Sequence, residues 1–272
     1  MRIVSLLPSA TEIICDLGLA DSLVGRSIEC NWPPEVVRIP VVSTSYVDSS
    51  NLSGLEIDAK VREAISQGID LYQIDYQLLR DLAPDFIITQ DLCKVCAVSS
   101  TDVCDVGAEV ISLNPKNLAG VIESIIQLAT DLGLRQRGVE LAQIMQSRIE
   151  AVRLSAIGKR RIRVFMAEWL EPPFASGHWI PEMVEAAGGL EALGQAGQIS
   201  VSTTWEKVIA AKPELIVLVP CGFDDERATK ESQDLKFSIE TLAVNSDRFF
   251  VRPSASLADG VEQLAVIFDK YR

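Results

Sequence analysis

The stretch NLAGVIESIIQLATDLGLRQRGVELAQIMQSRIEAVRLSAI, residues 117–157, decides how the rest of the chain is organised. Its pattern predicts a helix over 118–132, a break at Gly133 and a second helix over about 135–157. Apolar residues recur on the second helix at the period of one buried face, namely Val139, Ala142, Met145, Ile149 and Val152. This helix would be roughly 30 Å long, about the width of a small domain. We interpret it as a spine between two lobes; the alternative is a long helix inside one α/β domain.

The segments on either side of this stretch resemble each other. Residues 12–23 align with residues 182–193 without a gap, and both pieces carry a glutamate, a glycine and a leucine at equivalent positions. Residues 82–88 align in the same way with residues 211–217, and both contain a proline followed by an acidic residue and an apolar run. Two aligned fragments in the same order predict two lobes of the same build.

The fold class follows from the order of the predicted elements. Strands that alternate with helices indicate parallel sheets. The sequence therefore predicts an α/β protein made of two Rossmann-like lobes with mostly parallel sheets, joined by one long spine helix. The predicted division is an N-terminal lobe over 1–116, a helical spine over 117–159 and a C-terminal lobe over 160–272.

Composition disfavours several classes of partner. The chain of 272 residues has 25 basic and 38 acidic side chains, a formal net charge of −13, so nucleic acid and anionic membrane surfaces are poor partners. Its apolar runs are shorter than the roughly 20 residues of a membrane span, so we expect no membrane insertion. The first eight residues have the pattern of a strand rather than of a secretory signal, which predicts a cytoplasmic protein. In that compartment the six cysteines would be thiols or metal ligands rather than disulfides.

The predicted ligand site lies at the ends of the strands. Ligands of parallel sheets bind beyond the carboxyl ends of the strands, and two facing lobes would gather these ends into one cleft. Five predicted loops follow such ends, at Pro8, Glu29, Gln90, Glu168 and Cys221. Ser9 also belongs to the first loop, and with Glu12 three residues later it has the pattern of a helix capping box.

Aromatic residues accompany these loops. Four of them are predicted to lie at strand ends rather than on buried faces, namely Trp32, Trp169, Trp179 and Phe223. Aromatic side chains in such positions line small-molecule pockets, although each alone is also typical of ordinary loop packing. Glu29 and Glu168 lie beside them and would accept hydrogen bonds or bind a cation; solvated side chains are the alternative.

The cysteines predict a second kind of site. Cys93 and Cys96 have the spacing at which two thiolates coordinate one metal ion. Zn²⁺ or an iron–sulfur cluster needs four such ligands. The residues that would complete the set are Cys30, Cys104, Cys221 and His178. The alternative is that these cysteines are structural and line a strand end.

His178 is the one histidine of the chain and stands between Gly177 and Trp179. It is either an axial metal ligand or a packed neutral ring. Because one histidine leaves little scope for acid–base pairing, and no nucleophile elbow, phosphate loop or zinc-protease motif is present, hydrolytic catalysis is disfavoured. A binding protein is favoured over an enzyme, with a thiol-dependent enzyme as an open alternative.

The chain is similar to a known family in several motifs. Three segments resemble the class III substrate-binding proteins, the partners of ABC importers for cobalamin and ferric siderophores: SLLPSATEI (5–13), LVGRS (23–27) and PDFIITQ (84–90). Further motifs are similar to the branch commonly named cobalamin-binding protein: CKVCAVS (93–99), SGHW (176–179), PEMV (181–184) and PCGF (220–223). The resemblance covers nearly the whole chain.

The resemblance implies a ligand as well as a fold. It implies a cobalamin-like corrinoid or another metal-tetrapyrrole in the interlobe cleft, with aromatic side chains on its faces, Glu29 and Glu168 at its rim, and His178 or a thiolate near its metal. The chain departs from the family at Ile28, where members have histidine, and at residues 252–256, RPSAS, where members have Arg-Pro-Gly-Pro-Arg. The loss of a polar ring and of an arginine at these positions points to a different ligand, and the protein partner stays open. The competing hypothesis is a metal–thiolate or redox protein.

Overall fold

Strands and helices alternate along the chain, as the spacing of its apolar residues predicts. The structure is a computed structural model and describes residues 1–91, 106–233, 235 and 238–272. The strands are β1 (Ile3–Ser5), β2 (Leu23–Arg26), β3 (Ser43–Ser45), β4 (Tyr72–Ile74), β5 (Phe86–Thr89), β6 (Glu109–Ser112), β7 (Ile162–Leu170), β8 (Pro173–Ala175), β9 (Gly189–Glu191), β10 (Val201–Ser202), β11 (Leu215–Leu218) and β12 (Glu240–Ala243). The helices are α1 (Pro8–Asp16), α2 (Gly54–Ser66), α3 (Tyr76–Asp81), α4 (Leu118–Asp131), α5 (Arg135–Ser155), α6 (Ile180–Ala186), α7 (Trp205–Ala210), α8 (Asp225–Ser232), α9 (Ser246–Phe249) and α10 (Leu257–Asp269).

Residue contacts divide the chain into two units. The first unit comprises Met1–Leu52, Glu56–Asn114 and Glu123–Ala142, and the second comprises Ser53–Leu55, Pro115–Ile122 and Gln143–Arg272. Helices α4 and α5 therefore contribute residues to both units. The division into 1–116, 117–159 and 160–272 remains a prediction.

The first unit is built on a parallel sheet with the strand order β2–β1–β5–β6. Ile3, Val4 and Ile87 on its central strands are fully buried. Strands covered on both faces have continuous apolar runs rather than an alternating pattern, and β1 and β5 have such runs. The short antiparallel pair β3–β4 is a separate sheet.

The second unit is built on a mixed sheet with the order β10–β8–β7–β11–β12, and β9 pairs with β7. Strands β9, β11 and β12 run parallel to their neighbours, whereas β8 and β10 are antiparallel. The predicted α/β class with mostly parallel sheets is thus confirmed. One prediction is wrong: Glu168 and Trp169 do not lie in a loop, because β7 continues to Leu170 and turns into β8. Pro173 is compatible with this hairpin because it stands at the first position of a strand.

The two helices of the predicted spine end and begin as expected. Gly133 follows α4 with a φ of 76°, the left-handed conformation that a terminating glycine adopts. On the predicted apolar face of α5, Ala142, Met145 and Ile149 are buried, whereas Val139 and Val152 are half-buried. The two helices approach closely at Gly138, where a Cβ would lie 2.3 Å from the Cβ of Ala129. Each described helix falls short of what a membrane crossing requires in length and apolarity.

Helix α1 begins earlier than the capping pattern predicts. Pro8 occupies its first turn and Leu7 is the N-cap, without a capping side chain. Ser9 and Glu12 consequently lie inside the helix and are buried. The capping box is therefore wrong: a proline in the first helical turn already has the required φ and lacks the N–H that a cap would serve.

The internal repeat extends to backbone details. Ala83 and Lys212 occupy equivalent positions before a proline, and both adopt a left-handed φ, 41° and 51° respectively. Few residues other than glycine do so, because Cβ then crowds the following carbonyl. In both units this left-handed residue ends a short helix, α3 or α7, and leads into a buried strand.

The acidic residues that follow these prolines make the same contacts in both units. In the first, the N–H of Arg2 donates to Asp85 Oδ2 at 2.7 Å and the N–H of Asp85 donates to the Arg2 carbonyl at 2.8 Å. In the second, the N–H of Arg163 donates to Glu214 Oε1 at 3.0 Å and the N–H of Glu214 donates to the Arg163 carbonyl at 2.8 Å. These equivalent hydrogen bonds support the prediction that the two units have the same architecture.

Candidate functional site

The predicted site residues fall into two groups, one in each unit. The first unit contains Pro8, Ser9, Glu29, Cys30, Trp32 and Gln90, and the second contains Glu168, Trp169, His178, Trp179, Cys221 and Phe223. Both groups lie at or near the carboxyl ends of strands, which is where parallel sheets bind ligands. The cleft shared by the two groups remains a prediction, and so does the contact of each residue with a ligand.

In the first unit, the loop that follows β2 is organised by Arg26. This side chain is only 8% exposed, and its guanidinium donates hydrogen bonds to three carbonyls. They belong to Ser27 at 3.1 Å, Cys30 at 3.0 Å and Val37 at 3.2 Å. One planar fork therefore fixes both ends of the loop that carries Glu29 and the neighbouring site residues.

The side chains of this loop differ in depth. Cys30 is fully buried, with its Sγ 3.4 Å from Ser27 Oγ and 3.6 Å from the Ser5 carbonyl. Glu29 is half-buried, and its N–H donates to Ser27 Oγ at 3.2 Å. Trp32 is 36% exposed. The loop thus anchors itself through the thiol of Cys30 and leaves the indole of Trp32 accessible.

The remaining site residues of the first unit lie at the ends of β1 and β5. Pro8 is half-buried, whereas Ser9 and Gln90 are almost fully buried. The hydroxyl of Thr11, in the same helix as Ser9, donates to Ser5 Oγ at 2.8 Å. Buried polar side chains at the end of β1 are therefore hydrogen-bonded to each other.

In the second unit, an aromatic pair stands at the ends of β7 and β11. The ring centroids of Trp169 and Phe223 are 5.2 Å apart with the planes tilted by 57°, and the guanidinium of Arg227 lies 3.9 Å from the Phe223 centroid. Phe223 is buried beneath these two half-buried neighbours, so it acts as the platform that fixes them. The indole N–H of Trp169 is buried and has no hydrogen-bond partner within the described part of the chain.

A small hollow adjoins Trp169. It holds about 10 Å³, room for one water molecule, and is lined by Gly54, Leu55, Trp169, Leu170, Glu171, Phe223 and Glu231. Its edge is fixed by the N–H of Gly54, which donates to Glu231 Oε2 at 3.1 Å. Polar and aromatic groups thus converge at this corner of the second unit.

Two loops of the second unit are joined by the carboxylate of Glu168. Its Oε1 accepts the N–H of Gly177 at 2.9 Å, and its Oε2 accepts a short hydrogen bond from the Ser200 hydroxyl. A Cβ on Gly177 would lie 2.5 Å from the Gln198 carbonyl oxygen, so only glycine fits there. Glu168 therefore holds the loop of His178 against the loop that precedes β10.

His178 has an unusual backbone conformation. Its φ is 49°, a left-handed value that is uncommon for a non-glycine residue. Its Nε2 is buried without a hydrogen-bond partner among the described residues. Burial lowers the pKa of the imidazole, so its neutral form, the one that coordinates metals, is favoured.

Trp179 is buried more deeply than the sequence predicts. It is 6% exposed, and its indole N–H donates to the Phe250 carbonyl at 2.7 Å. The prediction that Trp179 and Phe223 avoid buried faces is therefore wrong for both. Trp179 is the N-cap of α6, so its ring packs into the core as that helix begins, 5.6 Å from the ring of His178.

The predicted metal–thiolate site has no support in the described structure. Cys93, Cys96 and Cys104 lie outside the described residues. Cys30 is buried and Cys221 is exposed, each in a different unit. Within residues 1–91, 106–233, 235 and 238–272, no group of three or more His, Cys, Asp or Glu side chains is arranged to hold a metal ion.

Sequence reasoning missed three charged residues of these loops: Arg26, Glu191 and Arg227. Arg26 ends the apolar run of β2, and a charged residue in that position is a usable signal for a loop anchor. Glu191 ends β9, two residues after a Gly-Gly pair, and offers the same signal. Arg227 lies one helical turn after Phe223, and this spacing identifies the contact only once α8 is known.

Comparisons with known proteins agree with this fold. The family model described as periplasmic binding protein matches residues 3–203. The vitamin B12-binding protein of Vibrio cholerae serotype O1 is 22% identical over 280 residues, which cover 97% of this chain and 87% of that protein. The crystal structure of the periplasmic vitamin B12 binding protein of Vibrio cholerae has a TM-score of 0.70 at 20% identity and covers 97% of this chain and 95% of its own. The periplasmic heme-binding protein from Roseiflexus sp. RS-1, in apo form, has a TM-score of 0.73 at 20% identity and covers 98% and 97%.

These matches confirm the resemblance to class III substrate-binding proteins and correct one prediction. The cytoplasmic assignment is wrong, because the matching family model and both solved structures are of periplasmic binding proteins. The assignment relied on the first residues of the chain, which form β1. The sequence of a buried strand carries no information about the compartment.

Proposed function

The chain belongs to the periplasmic binding protein family, and from this premise we propose that it binds a tetrapyrrole, either a corrinoid or a heme, outside the cytoplasm. The names of its relatives support this ligand class, since they bind vitamin B12 or heme. Both ligands are broad macrocycles around a central metal. Delivery to a membrane importer is the role that the family implies for such a protein.

The observation that carries the proposal is the group formed by Trp169, Phe223 and Arg227. A macrocycle has a wide apolar face, which aromatic side chains at a strand end cover well. The carboxylates at the rim of a heme, or the amide oxygens at the rim of a corrinoid, would suit a guanidinium that is already fixed on Phe223, because hydrogen bonds from a charged donor are strong and directional. The buried indole N–H of Trp169 lacks a partner in the described structure, and a ligand oxygen would satisfy it.

His178 is the residue of the second unit best suited to the metal of such a ligand. A neutral imidazole nitrogen is a good ligand for iron and cobalt. Its Nε2 makes no hydrogen bond to the described protein, so coordination would not require an existing bond to break. Within this proposal His178 contacts the metal, and Trp169 and Arg227 contact the macrocycle and its rim.

Absorption titrations with hemin and with hydroxocobalamin test the proposal. We expect saturable binding of at least one of them, and we expect Trp169→Ala and Arg227→Ala to weaken it by roughly tenfold or more each, the equivalent of about 1.4 kcal/mol. The matched control is Arg248→Ala, which removes another arginine–phenylalanine contact, 5.4 Å from guanidinium to the Phe249 centroid, on helix α9. We expect the control to retain wild-type affinity.

The outcomes separate cleanly. Loss of affinity in the Trp169 and Arg227 variants but not in the Arg248 variant supports this site. Equal effects in all three variants would indicate a general loss of fold and would count against a site at Trp169. Absence of saturable binding to both ligands would overturn the ligand class.

A further inference from the structure

Glu191, at the end of β9, is bound to the backbone on two sides. Its Oε1 accepts the N–H groups of Ala192 at 3.1 Å, Leu193 at 3.3 Å and Gly194 at 3.2 Å. Its Oε2 accepts the N–H of Met166, on β7, at 3.3 Å. A carboxylate is an acceptor at both oxygens, so it suits four converging donors better than any other side chain. This side chain fixes the turn after β9 to the central strand of the sheet.

The segment 195–198, which follows this turn, is hydrogen-bonded to the loop of His178. The N–H of Gln195 donates to the Ser176 carbonyl at 3.1 Å. The N–H of His178 donates to the Gln198 carbonyl at 2.6 Å, and the N–H of Gly197 donates to the His178 carbonyl at 2.9 Å. Both peptide groups of His178 are therefore bonded to the segment that Glu191 starts.

The two loops also touch without space between them. A Cβ on Gly194 would lie 2.3 Å from Ser176 Oγ, and one on Gly177 would lie 2.5 Å from the Ser200 nitrogen. A displacement of the turn at Gly194 is therefore transmitted directly to Ser176. Close packing of this kind moves as a unit rather than deforming gradually.

The left-handed backbone of His178 requires such support. Residues in sparsely populated conformations persist only where the surrounding structure over-determines them, and they cluster at ligand sites. Here the hydrogen bond that His178 donates to Gln198 and the one it accepts from Gly197 supply that constraint, and Glu168 adds a second one through Gly177. Glu191 fixes the turn from which the segment with Gly197 and Gln198 continues.

We propose that Glu191 is a positioning residue for His178: through the turn 192–194 and the segment 195–198 it sets the backbone and thereby the direction of the imidazole. The functional consequence rests on the proposed function, because it matters only if His178 contacts a ligand metal. Glu191 itself does not touch the ligand in this proposal. Its effect is to hold the imidazole ready in the unliganded protein.

The test uses the fact that the chain has one histidine. In protein without a histidine tag, the imidazole gives one Hε1 and one Hδ2 signal by nuclear magnetic resonance. The variant Glu191→Gln keeps the acceptor for Ala192–Gly194 but turns an amide N–H₂ toward the N–H of Met166. We expect both imidazole signals to shift at pH 8, and the Gly197 amide to exchange with solvent roughly tenfold faster or more. Glu185→Gln on α6, whose side chain is 71% exposed, is the matched control and leaves both readouts unchanged.

Hemin titration of the same variants adds the ligand readout. We expect Glu191→Gln to weaken binding roughly tenfold while the control retains wild-type affinity. Unchanged imidazole signals and Gly197 exchange in a folded Glu191→Gln protein would overturn the inference. If that variant does not fold, Glu191→Asp, which keeps the charge but shortens the reach, replaces it under the same criteria.

The failure of this inference and the failure of the proposed function give different results. If wild-type protein binds neither hemin nor hydroxocobalamin, the proposed function fails, whereas the magnetic resonance and exchange measurements still decide on positioning. If the ligand binds and the imidazole signals do not respond to Glu191→Gln, positioning fails alone. A purely structural role for Glu191 would lower stability without moving the imidazole signals.

Discussion

The loop after β2 and the loops around β7 and β9 are held by charged side chains of opposite sign, a buried arginine in the first case and two half-buried glutamates in the second. In the first unit, Arg26 donates to three loop carbonyls. In the second, Glu168 and Glu191 accept loop N–H groups. The loops themselves explain the difference, because one turns its carbonyls inward and the others turn their N–H groups inward. The sign of the charge that holds a loop at these strand ends thus follows the local backbone direction, although the two units share one build.

This difference has a consequence for pH. A guanidinium keeps its charge over the whole range in which proteins fold. The second unit instead depends on Glu191, whose pKa burial raises to about 7 against the opposition of its N–H donors, and it contains His178, whose pKa burial lowers. The loops of the second unit are therefore the pH-sensitive ones, and the following experiments test this contrast in order of expected effect.

The largest effect is expected for Arg26→Met in the first unit. The substitution leaves three carbonyls, two of them in buried hydrogen bonds, without their charged donor, and we expect it to lower the free energy of unfolding by about 3 kcal/mol. Urea denaturation at pH 7 measures it, and the loss is expected to be the same at pH 6 and pH 8. The control Arg38→Met, at an exposed position, changes stability by less than about 0.5 kcal/mol. A loss below about 1 kcal/mol for Arg26→Met would show that the loop does not depend on this side chain.

The second effect concerns Glu191. Its folded pKa of about 7 lies above the ordinary value of 4.5, so its contribution to stability is fully present below pH 4.5 and is lost as the pH rises through 7. The variant Glu191→Gln cannot titrate at this position and does not suffer this loss. As the pH rises from 4.5 to 8, we therefore expect its free energy of unfolding to increase relative to that of wild type by an amount on the order of 3 kcal/mol. Unfolding by urea across this range gives the difference. A constant difference between the two proteins would show that Glu191 does not titrate in the folded state.

The third effect is the pH dependence of stability that comes from His178. Its sign is opposite to that of Glu191, and we expect it to be smaller because His178 is only half-buried. Its folded pKa is lowered, so its contribution to stability is present above the unfolded pKa of about 6.5 and is lost as the pH falls below it. His178→Asn keeps a residue that tolerates the left-handed backbone and removes the titration. The variant is expected to lose less stability than wild type between pH 7 and pH 5. An identical pH profile for the two proteins would contradict the burial of the imidazole.

The smallest effect tests what the two units share. Ala83→Gly and Lys212→Gly remove the crowding of a left-handed non-glycine residue, and each is expected to stabilise the protein by about 0.5–1 kcal/mol. The control Ala119→Gly, on the exposed face of α4, is expected to destabilise it by a similar amount because glycine weakens helices. Thermal unfolding distinguishes the signs. Stabilisation at only one of the two positions would show that the equivalence of the units does not extend to their energetics.

The sequence predicts the framework better than the site, for physical reasons. The apolar run that follows Pro84 and Asp85 forms β5, Phe86–Thr89. Periodicity also identifies α4 and α5, because each has to bury one continuous face. The sequence does not predict strand β8, because Pro172 and Pro173 are typical of a loop. The strand forms through its pairing with β7, and a contact between strands leaves no local pattern in the sequence.

The site residues depend on contacts of this kind. That Arg26 binds the Val37 carbonyl, or that Glu191 binds the Met166 N–H, depends on the path of the backbone between residues far apart in the sequence. The sequence around Trp179 is typical of a loop. Its ring nevertheless lies in the core, where the Phe250 carbonyl accepts its indole N–H. Residue types at strand ends indicate where a ligand site lies, and the hydrogen bonds then decide which side chains face it.

Equilibrium dialysis of the wild-type protein against hemin and against hydroxocobalamin tests the central claim most directly. The proposed function predicts that one of the two accumulates with the protein to about one molecule per chain, with saturation at micromolar concentration or below. Metal-free protoporphyrin is the control for the part played by the metal, and we expect it to bind more weakly than hemin. Retention of neither ligand above the level of a non-binding control protein would contradict the claim.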